Sequence, residues 1–228
     1  VREQALDEAM RLFLSSLRLA KGGGFATAEA NAHLGVGMVQ YRRGDFPAAK
    51  RALEEGLAIK QMQGDEGGIG ACYEMLAIVT WKLGDAATAR GWHMRSLAHY
   101  AELDHPAGQA ATMLNLGEMA CDSGELDEAV DWYGRCVSID GCRHFDRMTA
   151  SARLAEIALS RDDTLEARAR LANAAALQDD VIGADAHSHF RRIKARLALS
   201  AGDLAAACTD LLEAEAQFGA AMDDDQLA

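Results

Sequence analysis

From Phe46 to about Gln61 the apolar residues Phe46, Ala49, Leu53, Leu57 and Ile59 recur at steps of three and four, with one closing step of two. Lys50, Arg51, Glu54 and Glu55 fall between them, on the face that the helical period turns to water. A second such segment precedes it, from about Thr27 to Arg42, and Arg43-Gly44-Asp45 separates the two. Glycine can take the left-handed conformation that ends a helix, and the aspartate after it can cap the next one. Pro47 falls in the first turn of the later segment, where its missing N–H costs nothing. The pattern predicts two amphipathic helices, A and B, joined by a tight turn.

That pair restarts along the chain. Ala9, Ala49, Ala89, Ala129, Ala167 and Ala207 form one column, spaced by 40, 40, 40, 38 and 40. Five residues before them stand Gln4, Gly44, Gly84, Gly124, Asp162 and Gly202, and Leu6-Asp7-Glu8-Ala9 recurs as Leu126-Asp127-Glu128-Ala129. A fixed period of this length marks a repeat architecture, in which each unit contacts only its neighbours. It predicts further helices at about 66–82 and 86–102, 106–122 and 126–139, 145–160 and 164–178, and 184–200 with 204–219. Pro106, after Asp104, opens the third helix A. In the fourth turn, which lacks glycine, Asp163-x-x-Glu166 supplies a capping box.

The opening stretch, about Leu6 to Ala20, reads as a helix B without its helix A. Gly22-Gly23-Gly24 reads as a flexible join, and Met222-Asp223-Asp224-Asp225 aligns with the start of another helix A. The expected organisation is one continuous body, cut from a longer protein. It comprises a half repeat at 1–22, repeats at 23–62, 63–102, 103–142, 143–180 and 181–220, and the start of a further one at 221–228. A second column, Gly37, Ala77, Gly117, Ala155 and Ala195, lies seven residues before each turn. Glycine in mid-helix costs about 1 kcal/mol relative to alanine, so its presence implies that another helix comes close.

Leu116-Gly117, Gly124-Glu125, Ala129 and Tyr133 together resemble the tetratricopeptide repeat, as does Gly37…Gly44-Asp45…Ala49…Leu53. The resemblance covers essentially the whole chain. It implies an all-α fold, a right-handed α-solenoid of antiparallel helix pairs with about 11 helices. The period is 40 rather than the family's 34, so each helix should be about a turn longer. This longer form is similar to the arrays of kinesin light chains and of MalT and LuxR-like bacterial regulators, as the stretch from Leu103 to Gly117 suggests. HEAT and armadillo repeats share the length, but the glycine turn followed five residues later by alanine fits them poorly.

In tetratricopeptide arrays the helix-A faces line a concave groove. Carried over, this implies Asn31, Leu34, Met38 and Tyr41 from the first full repeat, and Ala71, Glu74, Ile78 and Trp81 from the second. The third contributes Ala111, Leu114, Glu118 and Cys121, the fourth Glu156 and Leu159, and the fifth His189, Arg192 and Arg196. Arg42, Lys82 and Asp122 sit at the rim. The groove so implied runs from apolar and aromatic, through acidic, to basic. For Tyr41 and Trp81, packing between helices is the alternative role; for Glu118 and Glu156, a solvated face. Met38 stands where carboxylate-clamping members carry asparagine, and Glu74 and Glu118 would repel a carboxylate, so a clamp for a C-terminal tail is not expected.

The 228 residues carry a net charge of −12. Up to residue 114 there are 12 basic against 13 acidic residues, and beyond it 11 against 22. Such an acidic body repels phosphate backbones, which argues against nucleic acid as a direct partner. Arg191, Arg192, Lys194 and Arg196 read as a solvated helix face. No apolar run reaches the roughly 18 residues of a membrane span. Cys72, Cys121, Cys136, Cys142 and Cys208 are odd in number and scattered, consistent with reduced, buried thiols in a cytoplasmic protein.

Chemistry is hard to find. Cys136, Cys142 and His144 lack the close spacing and the second pair of a zinc site. His187 and His189 are two apart and face different sides of a helix. Gly22-Gly23-Gly24 lacks the lysine and hydroxyl residue of a phosphate loop, and Cys121 lies in no nucleophile motif. Trp92 and Trp132, forty apart, are equivalent helix-B packing positions. No enzyme, metal or cofactor is expected. The expected role is a non-catalytic protein- or peptide-binding scaffold or sensor, the regulatory array of a larger bacterial signalling or transcriptional regulator. Flanking domains of the same chain and end-to-end self-association are its other expected contacts; the alternative is a small-molecule effector domain of a MalT-like regulator.

Overall fold

A computed structural model describes the backbone of residues 2–177 and 184–227, and the side chains of 3–177 and 189–216. Eleven helices are found among the described residues, and no strand. They are α1 (Arg2–Gly23), α2 (Ala26–Arg42), α3 (Phe46–Gln63), α4 (Glu66–Lys82), α5 (Ala86–Glu102), α6 (Pro106–Asp122), α7 (Leu126–Ser138), α8 (His144–Ser160), α9 (Thr164–Ala175), α10 (Ala184–Ser200) and α11 (Leu204–Leu227). The even-numbered helices are the A helices and the odd-numbered ones the B helices.

The turns follow from local chemistry. Gly44, Gly84, Gly124 and Gly202 have φ between 77° and 87°, and Asp162, in the same column, takes φ 60°. One residue later Asp45, Asp85, Asp163 and Asp203 accept hydrogen bonds at 3.0 Å from the backbone N–H of Ala48, Thr88, Glu166 and Ala206. Glu125, at the same place, makes no such side-chain bond. Only half of the expected capping box forms: Asp163 caps α9, while the Glu166 carboxylate accepts from Arg170 Nε at 2.7 Å.

Within a pair the helices run antiparallel. A Cβ placed on Gly37 of α2 would come within 2.8 Å of Leu53 and 3.3 Å of the Ala49 carbonyl, while one on Gly56 of α3 would meet Leu34 and Ala30. As one residue number rises, its partner's falls. Both small-residue columns lie at this close approach: Ala49, Ala77, Ala89, Ala129, Ala155, Ala167 and Ala195 are all fully buried.

The chain forms two compact units, Val1–Gly108 and Gln109–Ala228. The core of the first gathers Leu53, Leu57, Ile69, Cys72, Leu76 and Val79, with Leu34, Tyr41, Phe46, Tyr73 and Trp92 against it. That of the second gathers Met148, Ala152, Leu171, Phe190 and Ile193, with Leu159 and Leu197 beside it. The charge asymmetry follows the same division: no charged residue lies between His105 and Leu114, so the units carry −1 and −11.

Three expectations need correction. Gly22 and Gly23 are not part of a flexible join; they continue α1, and only Gly24, at φ 69°, leaves the helix. Residues 222–225 do not open a new helix A, because α11 runs through them to Leu227; the alanines at 214, 216, 220 and 221 favour an unbroken helix. Cys208 is exposed and Cys121 half-buried rather than buried, and all five cysteines are free thiols. The expected repeat boundary at 180/181 and the side chain of His187 lie outside the described residues.

Candidate functional site

The expected groove positions all lie on A helices, with individual surroundings. In the first unit, Asn31 is exposed on α2, and its Oδ1 accepts from Lys60 Nζ of α3 at 2.9 Å. Lys60 is only 3% exposed and is neutralised by Asp65 Oδ2 at 2.7 Å. Its ammonium, by donating that hydrogen bond, holds the Asp65 carboxyl below the usual carboxylate range. Leu34 and Tyr41 are half-buried against the core, and Tyr41 also meets Phe46 with ring centroids 5.8 Å apart. Met38 and Arg42 are exposed. On α4, Glu74 accepts from the Tyr100 hydroxyl at 3.3 Å, Ile78 is half-buried, and Lys82 Nζ lies 5.3 Å from the centre of the Trp81 ring.

In the second unit the expected positions converge. Arg153 of α8 donates from Nε and Nη2 to the two carboxylate oxygens of Glu118 on α6, at 2.7 and 3.0 Å. Its Nη1 donates to Glu156 at 3.1 Å, and Glu156 accepts in turn from Arg196 of α10 at 3.0 Å. His189 Nε2 lies 3.7 Å from Glu156. Burial and the Arg153 guanidinium push His189 down to about 4, so its ring is neutral at pH 7. Three successive A helices are thereby tied into one charged face. Arg153, absent from the positions the resemblance implies, holds this face together. The only signal for it in the chain is its place three residues before Glu156, an i,i+3 pair. Leu114 is half-buried on α6, while Asp122 and Arg192 are exposed.

The rest of the basic cluster is less solvated than its sequence suggests. Arg191 pairs with Glu213 of α11, and Lys194 donates to Asp210 at 2.9 Å. These contacts pin α10 to α11 and leave Arg192 outermost. The repeated tetrapeptide also acquires a reason: Arg43, just past α2, pairs with Asp7 of α1, and Arg161, just past α8, pairs with Asp127 of α7 at 2.7 Å. Trp92 and Trp132 are equivalent, each capped by an arginine three residues on, with guanidinium-to-ring distances of 4.7 and 4.4 Å.

Among the described residues, one cleft open to solvent, of about 560 Å³, lies at Tyr41, Arg42, Arg43, Gly44 and Phe46, and another of about 290 Å³ at Glu128, Asp131, Trp132 and Arg135. Among the described residues no group of three His, Cys, Asp or Glu side chains is placed to hold a metal ion. No helix there is long and apolar enough to cross a membrane.

Residues 70–140, from α4 to just past α7, match the model of the tetratricopeptide repeat. That stretch, about a third of the chain, is similar to the tetratricopeptide repeat. No curated protein matches it in sequence. Among solved structures, BtubC (BKLC) from P. vanneervenii superposes with a TM-score of 0.74 at 20% identity, over 97% of this chain and 92% of that one. A candidate kinesin light chain of Podosopora anserina with nearly identical tetratricopeptide-like repeats gives 0.62 at 18% identity, over 85% and 96%. The Rap conjugation gene regulator of plasmid pLS20, in complex with a Phr peptide, gives 0.61 at 20%, over 94% of this chain and 58% of that regulator. At these identities the likeness is one of fold: an array of tetratricopeptide helix pairs.

Proposed function

We propose that the chain is a non-catalytic scaffold that holds a protein or peptide against the helix-A faces of its tetratricopeptide repeats. It serves as the sensor array of a larger cytoplasmic bacterial regulator, in signalling or transcription, through contacts with flanking domains. The observation that carries this reading is the chain of ion pairs Glu118–Arg153–Glu156–Arg196, which sets three successive A helices side by side on one face. The Rap regulator, similar in fold, was solved with a peptide, which supports the same class of ligand. The two clefts described among these residues are open rather than enclosed, which favours an extended partner over a small effector molecule.

The test starts from peptides selected by display against the chain. Trp81→Ala, in the first unit, or Arg192→Glu, in the second, should weaken binding of the selected peptides about tenfold or more, roughly 1.4 kcal/mol. Circular dichroism should be unchanged. Full-strength binding to both variants would refute the assignment.

A further inference from the structure

Helix α7 is 13 residues long, against 18 and 17 for α3 and α5. Five residues, 139–143, then lead to α8, where the link from α3 to α4 needs two and that from α5 to α6 needs three. The period also shortens here, from 40 to 38. Gly141, at φ 78°, turns this connector back toward α7. Cys142 is thereby buried beside Cys136, at 6% and 0% exposure. The neighbouring carbonyls of Arg143, at 3.4 Å from Cys142 Sγ, and of Asp146, at 3.9 Å from Cys136 Sγ, complete the thiols' surroundings. The connector is anchored by Arg143 Nε on Asp146 at 2.7 Å and by Arg147 donating to the Ile139 carbonyl at 3.0 Å.

We propose that Cys136 and Cys142 form a modification site, a dithiol that closes to a disulfide when it meets a small-molecule disulfide such as oxidised glutathione. Closure pins the connector to α7. Cys142, the less buried of the two, attacks as thiolate on one sulfur of the incoming disulfide. A protein–glutathione bond forms, and the other glutathione leaves as thiolate. Cys136, on losing its proton, then attacks Cys142 Sγ and expels the second glutathione. The protein loses two protons and two electrons, and one glutathione disulfide becomes two thiols.

The order of attack follows from the surroundings. The hydrogen bond from Cys136, with Arg147 and Arg143 nearby, holds the Cys142 thiol below its ordinary range. Cys136 is pushed up by donating that bond and by burial. Among the other thiols, burial raises Cys72 to about 11 and also raises Cys121, so neither competes. Cys208 is exposed, and its chemistry stops at a mixed disulfide. It is an internal control for the oxidant.

The folded chain is incubated with oxidised glutathione, alkylated, and mapped by mass spectrometry without reduction. The expected result is a peptide linked between Cys136 and Cys142, lighter by two hydrogen atoms, together with a glutathione adduct at Cys208. Dithiothreitol should reverse both. Cys136→Ser should trap Cys142 as a glutathione adduct, and tryptic cleavage after Arg143 should slow in the oxidised wild type. Because a serine at a buried site can unfold the chain, the wild-type map decides by itself. If Cys208 is modified while Cys136 and Cys142 both remain alkylatable after unfolding, the proposal is wrong.

Discussion

His93 occupies a column in which apolar packing is the rule: Leu53, His93, Tyr133 and Leu171, at 40, 40 and 38 residues. These four are 0%, 0%, 0% and 5% exposed, and neither ring nitrogen of His93 has a hydrogen-bond partner among the described residues. Leaving a buried polar group unpaired costs about 1–3 kcal/mol even when it is neutral. Burial also pushes the imidazole from 6.5 down to about 4. A difference of about 2.5 units is worth about 3 kcal/mol.

The unfolded chain takes up a proton near pH 6.5 that the folded chain refuses until about pH 4. Stability is therefore intact above about 6.5 and is lost as the pH falls from there toward 4. His93→Leu should be more stable than wild type by about 1–3 kcal/mol at pH 7.5. The gap should widen by up to about 3 kcal/mol toward pH 4. Urea unfolding followed by circular dichroism across this range measures both quantities, and carboxylates that titrate in both proteins cancel in the difference. Parallel curves for the two proteins would refute the reasoning.

Two predictions concern the backbone. Asp162 holds φ 60°, where the turns at 44, 84, 124 and 202 carry glycine; because an L side chain is strained there by about 1–2 kcal/mol, Asp162→Gly should raise the melting temperature by about 2–8 °C. A fall in the melting temperature would show that its side chain matters more than its backbone. In the third repeat, a Cβ on Gly117 would approach the Tyr133 ring to 2.4 Å. Gly117→Ala should therefore destabilise by about 1–3 kcal/mol despite alanine's better helix propensity, measured by the same unfolding assay. An unchanged or stabilised variant would contradict the close approach.

Much of this architecture is legible in the chain because each repeat states it again. The alanine and glycine columns mark the turns, and α4, α5, α6 and α10 match their expected limits to the residue. What escaped is set by tertiary contact. Arg153 reads as one more arginine until α6 brings the Glu118 carboxylate to it and α10 brings a second guanidinium to Glu156. Lys60 stands in the column of Tyr100, and only Asn31 and Asp65, from neighbouring segments, make its burial tolerable. Gly22 and Gly23 look like breakers, but α1 carries them and the left-handed turn falls on Gly24. The shortening of α7 shows in sequence only as a period of 38 rather than 40. The folding back of Cys142 onto Cys136 needs the geometry.

The central claim, recognition by the A helices, is tested most directly by photo-crosslinking. A display-selected peptide carrying a benzophenone side chain is bound, irradiated, and its attachment sites mapped by mass spectrometry. Attachment should concentrate on α2, α4, α6, α8 and α10, at residues such as Met38, Trp81 and Arg192. Attachment confined to α3, α5, α7 and α9, around Trp92 or Trp132, would place recognition on the opposite face and contradict the account.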